Sequence, residues 1–308
     1  MMEGKEGLMV ATVNASGWGP VKEFAKSTRV HAILVQEHKL MREEEVLMAG
    51  NWCSKNGWKA CFTPAVAGQG GGASGGTAVM VRHWMGLAKM DQGDLVPARA
   101  LGCILYFPGL GDLDVYSIYG EVGTGLGPVN IGLLGEVGRA IQARGKQFVV
   151  GGDFNMEPGE VASTGICERL GVAMVHTSDP AGTSKQGVKG KVLDFFLVDQ
   201  ALPRGLARQW LDAGALVCTH TPACIQFHGR LGEMKARILA KPQALPVDKP
   251  VGPSPAPQDW EGVQAAMEEV VRLARRGGAE EARAALRQGY KMWADLAEKE
   301  LVRVLGGG

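Results

Sequence analysis

The segment 147–155 constrains the fold more than any other part of the chain, because it reads Gln-Phe-Val-Val-Gly-Gly-Asp-Phe-Asn. The apolar, β-branched run predicts a buried strand, and the two glycines at its end would let a phosphate approach closely. Alternation along a strand would place Asp153 and Asn155 on one face. A carboxylate beside an amide suits activation of water near a phosphate or a metal ion. The other interpretation of this segment is a plain strand followed by a polar turn. The motifs in the rest of the chain distinguish between the two interpretations.

Short apolar runs bounded by Gly, Pro or Asp recur as far as about residue 227, and they predict strands. The predicted strands are 8–13, 31–36, 77–81, 100–107, 113–119, 147–150, 192–198, 215–218 and 223–227. Helical patterns lie between them at 20–28, 42–52, 130–145 and 160–170. This mixture predicts an α/β fold with two packed sheets and outer helices.

The C-terminal part of the chain has a different composition. Six of the fifteen prolines fall within 241–258, a density that excludes a helix or a central strand and predicts a linker. Apolar residues then recur at helical spacing in two stretches separated by Gly277-Gly278. We therefore predict a domain over 1–232, a linker over 233–258 and a helical hairpin over 259–308, which packs on the domain or on a partner protein.

Charge and cysteine content exclude some classes of protein but identify no partner. The 33 basic and 32 acidic residues nearly cancel, so no global field marks a nucleic-acid or membrane binder, although a local basic patch fits within that balance. The six cysteines show no CxxC spacing, which argues against a zinc knuckle or a disulfide framework. We find neither a signal peptide nor an apolar stretch of ~18 residues, and we expect a soluble, intracellular protein.

Polar residues stand at or near the ends of several predicted strands. They are Asn14, Glu37, Tyr119, Asp153, Asn155, Asp194 and His220. Because strand ends of packed sheets converge on a shared crevice, we expect these side chains to line one cleft. Asp194 is flanked by Leu193 and Phe195 and needs a buried partner, and His220 is the partner we expect. The other five histidines, His31, His38, His83, His176 and His228, are expected at the surface or satisfied in the core.

The order of these motifs resembles the endonuclease/exonuclease/phosphatase superfamily. Within it, the chain is most similar to exonuclease III-like AP endonucleases and to the endonuclease domains of non-LTR retrotransposons. The resemblance spans residues 8–227 and implies a four-layered α/β sandwich, in agreement with the pattern of predicted elements. It also implies DNA as a partner, and a nuclear location if the substrate is genomic DNA.

The resemblance implies a role for each residue of the set. Glu37 would be the main ligand of Mg²⁺ or Mn²⁺, with Asn14 beside it, because hard oxygen donors suit these ions. Asp153 would activate or orient the attacking water.

Four further residues would handle the phosphate and its surroundings. Asn155 would help to hold the water or the phosphate, and Tyr119 would donate its hydroxyl to a phosphate oxygen. His220 would contact the scissile phosphate while Asp194 fixed its imidazole. Thr183, which precedes Asp194 and is not one of these four, would make local hydrogen bonds.

The chain departs from the family pattern at two points. It has Cys218-Thr219-His220 where the family has Ser-Asp-His, so a carboxylate associated with the metal site becomes a neutral hydroxyl. The Pro-Asn that follows the family's tyrosine is absent after Tyr119.

Together these features predict a metal-dependent phosphodiester hydrolase, specifically a DNA endonuclease of the retrotransposon type weakened by Thr219. Two alternatives stay open. One is a catalytically degenerate binding domain with the same fold. The other is a phosphatase or phospholipase relative that acts on small or lipid phosphates.

Overall fold

A computed structural model describes residues 7–68, 70–107, 111–185, 190–202, 205–217, 219–228, 260–276 and 279–305. The chain divides into two compact units, and the boundary between them follows Ala236. The predicted linker, 233–258, lies outside the described residues, so its limits stay a prediction.

Two six-stranded sheets form the centre of the first unit. The first sheet contains, in spatial order, β13 (Leu206–Leu211), β14 (Ala223–Phe227), β1 (Met9–Asn14), β2 (Ala32–Gln36), β6 (Thr77–Arg82) and β3 (Trp58–Thr63). The second contains β11 (Val172–Val175), β12 (Asp194–Asp199), β10 (Phe148–Asp153), β9 (Gly111–Tyr119), β8 (Ala100–Phe107) and β7 (Gly86–Val96). The pairs β1–β2 and β9–β10 are parallel, and the other neighbouring pairs are antiparallel. A small hairpin joins β4 (Val66–Ala67) to β5 (Ala73–Ser74).

Helices cover the outer face of each sheet. The first sheet carries α1 (Trp18–Ser27) and α2 (Glu43–Lys55), and the second carries α3 (Pro128–Arg144), α4 (Pro158–Ser163) and α5 (Ile166–Leu170). Strand β1 shows why the sequence folds this way. Its Val10 packs between the sheets, whereas Ala11 and Val13 pack under the helices. Both faces of the central strands are therefore apolar, as layers on each side require. The predicted four-layered α/β sandwich is confirmed.

Six strands were not predicted, namely β3, β7, β11 and β13 of the large sheets and the two-residue strands β4 and β5. The strands β7 and β13 lie at sheet edges and carry several polar residues, so no apolar run marks them. The predicted strand 215–218 is wrong for its described residues, 215–217. Ala215 and Val217 are buried in the layer beneath the helices, but their backbone forms a turn and a loop rather than a strand. Their apolar character reflects a buried loop.

The predicted helix 160–170 is two helices, α4 and α5. Gly165 between them has a φ of +69°, a left-handed conformation that interrupts a right-handed helix.

The second unit contains α6 (Trp260–Arg276) and α7 (Ala279–Leu305), as the helical spacing predicted. Gly289 of α7 lies against α6, where an added Cβ would come 2.9 Å from Cγ1 of Val270. The glycine therefore allows the two helices to pack closely. None of the described helices combines the length and the hydrophobicity needed to cross a membrane.

Candidate active site

The face between the two sheets changes from apolar to polar along the central strands. Strand β10 places Val149 in the apolar core and Asp153 four residues further on at the carboxyl edge. Strand β12 runs in the opposite direction, so its first residue, Asp194, pairs with Asp153 while Val198 lies in the core. Because alternate residues of a strand lie on the same face, the face that holds Val149 and Val198 in the core also presents Asp153 and Asp194 to the cleft.

A buried hydrogen-bond network crosses between the sheets just below the cleft. Thr12 Oγ1 donates to Gln36 Oε1 at 3.1 Å, and Gln36 Nε2 donates to Ser117 Oγ at 2.9 Å. Ser117 Oγ donates in turn to the carbonyl of Val35 at 2.9 Å. These bonds fix the separation of the sheets just below the cleft. Asn14 and Tyr119 are the next residues on the same strand faces, two positions after Thr12 and Ser117, and they extend from this level. Sequence reasoning gave these residues no role, although a glutamine in an otherwise apolar run was a usable signal.

Asp153 lies at the centre of the cleft with both carboxylate oxygens hydrogen bonded. Asn14 Nδ2 donates to Asp153 Oδ2 at 2.8 Å, and the backbone N–H of Asn155 donates to Oδ1 at 3.0 Å. The expectation that Asp153 and Asn155 share a strand face is wrong, because β10 ends at Asp153 and Asn155 has a φ of +49°. The side-chain Nδ2 of Asn155 donates to the carbonyl of Gly120 at 2.9 Å. Asn155 thus orients Asp153 through its backbone.

The two glycines before Asp153 make room for protein atoms rather than for a phosphate. A Cβ on Gly151 would lie 2.7 Å from side-chain atoms of Leu34 and Phe196, and a Cβ on Gly152 would lie 2.0 Å from the carbonyl oxygen of Ile118. The expectation of an open phosphate approach at these glycines is therefore wrong. They let the sheets and strands pack tightly around the carboxyl edge of β10.

Asp194 and His220 make the contact expected between them. His220 Nδ1 lies 2.7 Å from Asp194 Oδ2, and both residues are buried. Thr183 positions both partners, since its Oγ1 accepts the N–H of Asp194 at 3.0 Å and its carbonyl accepts the N–H of Thr221 at 2.7 Å. The expectation that Thr183 makes local hydrogen bonds is confirmed. Asp194 Oδ1 is buried and has no hydrogen-bond partner within the described part of the chain.

The charges of this cluster favour a protonated imidazole. Burial acts to lower the pKa of His220, but the carboxylates of Asp194, Asp153 and Glu37 together raise this pKa to about 9. His220 Nε2 lies 3.8 Å from Asp153 Oδ2. Burial, followed by the charge of Asp194, raises the pKa of Asp153 to about 7, although His220 and Asn14 oppose the shift. The cleft therefore holds an imidazolium beside a carboxyl group that can take up a proton near neutral pH.

Glu37 forms the other end of the cleft, directly after β2. Its φ of +57° breaks the strand alternation that would otherwise point its side chain away from the face of Gln36. Ser16 Oγ donates to Glu37 Oε2 at 3.3 Å and lies 2.9 Å from Thr219 Oγ1. The Ser16 hydroxyl therefore contacts both Thr219 and Glu37 and links the two residues. Ser16, which also has a left-handed backbone with φ +51°, is a site residue that sequence reasoning missed.

Tyr119 connects the two ends of the cleft. Its hydroxyl is hydrogen bonded to Glu37, and its pKa is raised by burial and then by the charges of Glu37 and Asp153. The phenol therefore stays protonated at neutral pH and can donate a hydrogen bond. Arg99 Nη1 donates to the carbonyl of Tyr119 at 3.4 Å and its guanidinium lies 5.5 Å from the centre of the tyrosine ring.

Two parts of the cleft could hold a cation, and their donor chemistry differs. Atoms of Asp153, Asp194 and His220 lie within 4.8 Å of one another, a spacing that suits a metal ion. However, His220 has its Nδ1 engaged by Asp194 and a raised pKa, so a protonated imidazole already supplies the positive charge there. At the Glu37 end the candidate ligands are oxygens, namely the Glu37 carboxylate, Asn14 Oδ1 and the hydroxyls of Ser16 and Thr219, and the ammonium of Lys39 lies 3.7 Å from Glu37 Oε1. Oxygen donors fit Mg²⁺ or Mn²⁺, so these residues fit the predicted ion better.

Among the remaining histidines, His38 is satisfied in the core as expected. Its Nδ1 accepts the N–H of Leu40 at 3.0 Å, its Nε2 lies 3.3 Å from the carbonyl of Thr77, and burial lowers its pKa to about 4. His83, His176 and His228 are exposed, whereas His31 is partly buried with Nδ1 accepting the N–H of Met9 at 3.2 Å.

The sequence from 11 to 222 matches the model of the endonuclease/exonuclease/phosphatase family. The chain belongs to this family. The match covers the strands that carry Asn14, Glu37 and Asp153 and extends just beyond His220. A search of curated proteins found no significant match.

Solved structures of this fold are similar over most of the chain. The endonuclease domain of TRAS1, a telomere-specific non-LTR retrotransposon, is 13% identical with a TM-score of 0.54, covering 73% of this chain and 99% of that one. The AP endonuclease LMAP from Leishmania major is 14% identical with a TM-score of 0.56, covering 72% and 88%. The 3′ phosphatase NExo from Neisseria, bound to a product DNA hairpin, is 17% identical with a TM-score of 0.52, covering 71% and 99%. At these identities the similarity establishes the fold alone.

Proposed function

We propose that this family member is a metal-dependent phosphodiester hydrolase, specifically a DNA endonuclease of the retrotransposon type. The observation that carries the proposal is the buried chain of contacts from Asp194 through His220 to Asp153, with Asn14 hydrogen bonded to Asp153. It brings a candidate base and a candidate cation together at one strand edge. DNA as the substrate is supported by analogy with the retrotransposon domain and the AP endonuclease, and a nuclear site of action would follow if the DNA is genomic.

In the proposed reaction, ionised Asp153 accepts a proton from water as the water oxygen attacks phosphorus and the phosphorus–oxygen bond to the leaving group breaks. Asn14 and the backbone N–H of Asn155 hold the carboxylate in place through bonds of 2.8 and 3.0 Å. The fixed geometry places Asp153 for this transfer without rearrangement.

His220 donates a hydrogen bond from Nε2 to a non-bridging phosphate oxygen and stabilises the charge that develops there. Asp194 keeps the imidazole oriented and protonated through the 2.7 Å contact at Nδ1. The Tyr119 hydroxyl, which its raised pKa keeps protonated, would supply a second donor to the phosphate by exchanging its hydrogen bond to Glu37 for one to a phosphate oxygen.

Glu37 and Asn14 are the proposed metal ligands, with the hydroxyls of Ser16 and Thr219 close to Glu37. Bound Mg²⁺ or Mn²⁺ would supply positive charge that polarises the phosphoryl oxygens. A single carboxylate among these donors predicts weak cation affinity, because affinity for hard cations rises with the number of charged ligands.

The test is the nicking of supercoiled plasmid in Mg²⁺ or Mn²⁺ by the full chain and by Asp153→Ala and His220→Ala. His176→Ala is a matched control, because His176 is exposed and outside the proposed catalytic set. Nicking by the wild type and the control alone supports the proposal, whereas equal background from all proteins rejects catalysis. Release of phosphate from lipid or inositol phosphates, with plasmid left intact, would move the assignment to a phosphatase or phospholipase relative.

The second candidate is a binding domain that keeps the fold without turnover, and the neutral hydroxyl of Thr219 beside the Ser16–Glu37 contact favours it. In that case the wild type would bind DNA in the presence of a divalent cation but would not cut it.

A further inference from the structure

A groove of about 430 Å³ lies between α1 and α2, next to the cleft. We call it the tryptophan groove and define it by Trp18, Lys22, Lys39, Leu40, Met48 and Trp52. It adjoins the Glu37 end of the proposed active site. Lys39 Nζ lies 3.7 Å from Glu37 Oε1, and Trp18 follows Ser16 by two residues. A polymer held at the Glu37 end of the cleft would therefore pass beside this groove.

The aromatic side of the groove is held in a defined geometry. Trp18 contacts Trp52 edge to face, with ring centroids 5.8 Å apart, and contacts Phe62 with centroids 5.6 Å apart. Both tryptophans keep part of their surface exposed. Met48 at the mouth is 62% exposed, which leaves an apolar side chain uncovered beside the rings. Such a surface suits the flat apolar face of a nucleobase.

The groove also carries an unbalanced positive charge. Its acidic residue, Glu45, accepts hydrogen bonds from the guanidinium of Arg42 at 2.9 and 2.7 Å, so that charge is already balanced. Lys39 is likewise paired with Glu37, so Lys22 is the lysine of the lining whose charge no ion pair balances among the described residues. A patch that combines uncovered aromatic surface with lysines is complementary to a strand with bases on one side and phosphates on the other.

We infer that the tryptophan groove binds a nucleotide of the substrate strand next to the scissile phosphate. The base packs against Trp18, Trp52 and Met48, and Lys22 pairs with the adjoining phosphate. This inference rests on the proposed function, which it deepens by specifying an unpaired nucleotide. A base within a duplex is stacked on its neighbours, so the groove favours single-stranded or frayed substrate.

The experiment measures the binding of fluorescein-labelled 12-nucleotide single strands of DNA and RNA, and of a DNA duplex, to the full chain in EDTA. Chelation separates binding from hydrolysis. Met48→Glu places a negative charge at an exposed position and should not affect folding, while Lys22→Ala removes the phosphate contact. Trp52→Ala removes an aromatic ring from the groove, whereas Trp52→Phe keeps an aromatic ring at that position. Lys146→Ala is the matched control, since Lys146 is exposed and outside the groove.

We expect Trp52→Ala and Met48→Glu to weaken single-strand binding by about fivefold or more, the lower end of the range for one stacked base. Trp52→Phe should remain within about twofold of the wild type if one aromatic ring replaces the other. Lys22→Ala should flatten the salt dependence of binding relative to Lys146→Ala. The DNA and RNA arms show whether the groove distinguishes the sugars.

Wild-type affinity in both Met48→Glu and Lys22→Ala would overturn the inference, as would the absence of single-strand binding by the wild type. Plasmid nicking in that case would leave the proposed hydrolase standing. Conversely, groove-dependent binding by a chain that does not nick would support the groove and reject the hydrolase.

Discussion

Thr219 Oγ1 lies 2.9 Å from Ser16 Oγ, and the same serine oxygen donates to Glu37 Oε2 at 3.3 Å. Thr219, which departs from the family pattern, therefore lies at the end of the cleft where the candidate metal ligands are oxygens. A neutral hydroxyl at that point leaves Glu37 as the one carboxylate among the proposed metal ligands.

Thr219→Asp should accordingly lower the Mg²⁺ concentration needed for half-maximal nicking, by about tenfold, because a second carboxylate would join Glu37. The measurement is a Mg²⁺ titration of nicking rate. Thr219→Asn is the matched control, because asparagine is similar in size to aspartate but carries no charge. If neither the wild type nor Thr219→Asp nicked plasmid in saturating Mg²⁺, the result would favour the degenerate binding domain.

Asp194→Asn should reduce the rate of hydrolysis by roughly 10²-fold or more, since His220 would lose the group that orients and charges it. The pKa of His220, raised to about 9 in the intact cluster, should fall towards its ordinary value. NMR titration of the histidine ring protons measures this directly, and the exposed His176 serves as an internal reference. An unchanged His220 titration in the variant would contradict the assignment of Asp194 as its positioning partner.

The rate of hydrolysis should follow a bell-shaped pH profile. Asp153 acts as a carboxylate, so activity should rise as pH increases through its pKa of about 7. His220 acts as an imidazolium, so activity should fall as pH passes its pKa of about 9. Initial nicking rates from pH 5.5 to 10 at constant ionic strength test both limbs. A rate that stayed constant from pH 8 to 10 would rule out a required proton on His220.

The fold could be predicted where strands are buried on both faces, because β1, β2 and β10 appear as apolar runs. Edge strands such as β7 could not, since their exposed faces tolerate polar residues. The strand ends indicated which side chains meet, and the Asp194–His220 contact follows from the cost of burying an unpaired acid.

The sequence failed where the backbone leaves regular geometry. Ser16, Glu37 and Asn155 all have positive φ, which redirects their side chains in ways that alternation cannot anticipate. Such conformations cost of order 1–3 kcal/mol each, and their concentration in the cleft is typical of a functional site.

Gly152→Ala should destabilise the domain severely, because the new Cβ would lie 2.0 Å from the backbone carbonyl oxygen of Ile118 on β9. A backbone atom in a central strand cannot move aside as a flexible side chain can. We therefore expect the free energy of unfolding to fall by about 1–3 kcal/mol or more, where 1–3 kcal/mol is the usual range for overpacking. Gly132 offers the matched control. It lies exposed in α3, and an added Cβ would meet no atom within 4 Å. Gly132→Ala should therefore stabilise the protein by roughly 0.5–1 kcal/mol through its higher helix propensity. Urea unfolding followed by circular dichroism measures both changes, and a Gly152→Ala variant as stable as the wild type would show that β9 and β10 are less closely packed than the structure indicates.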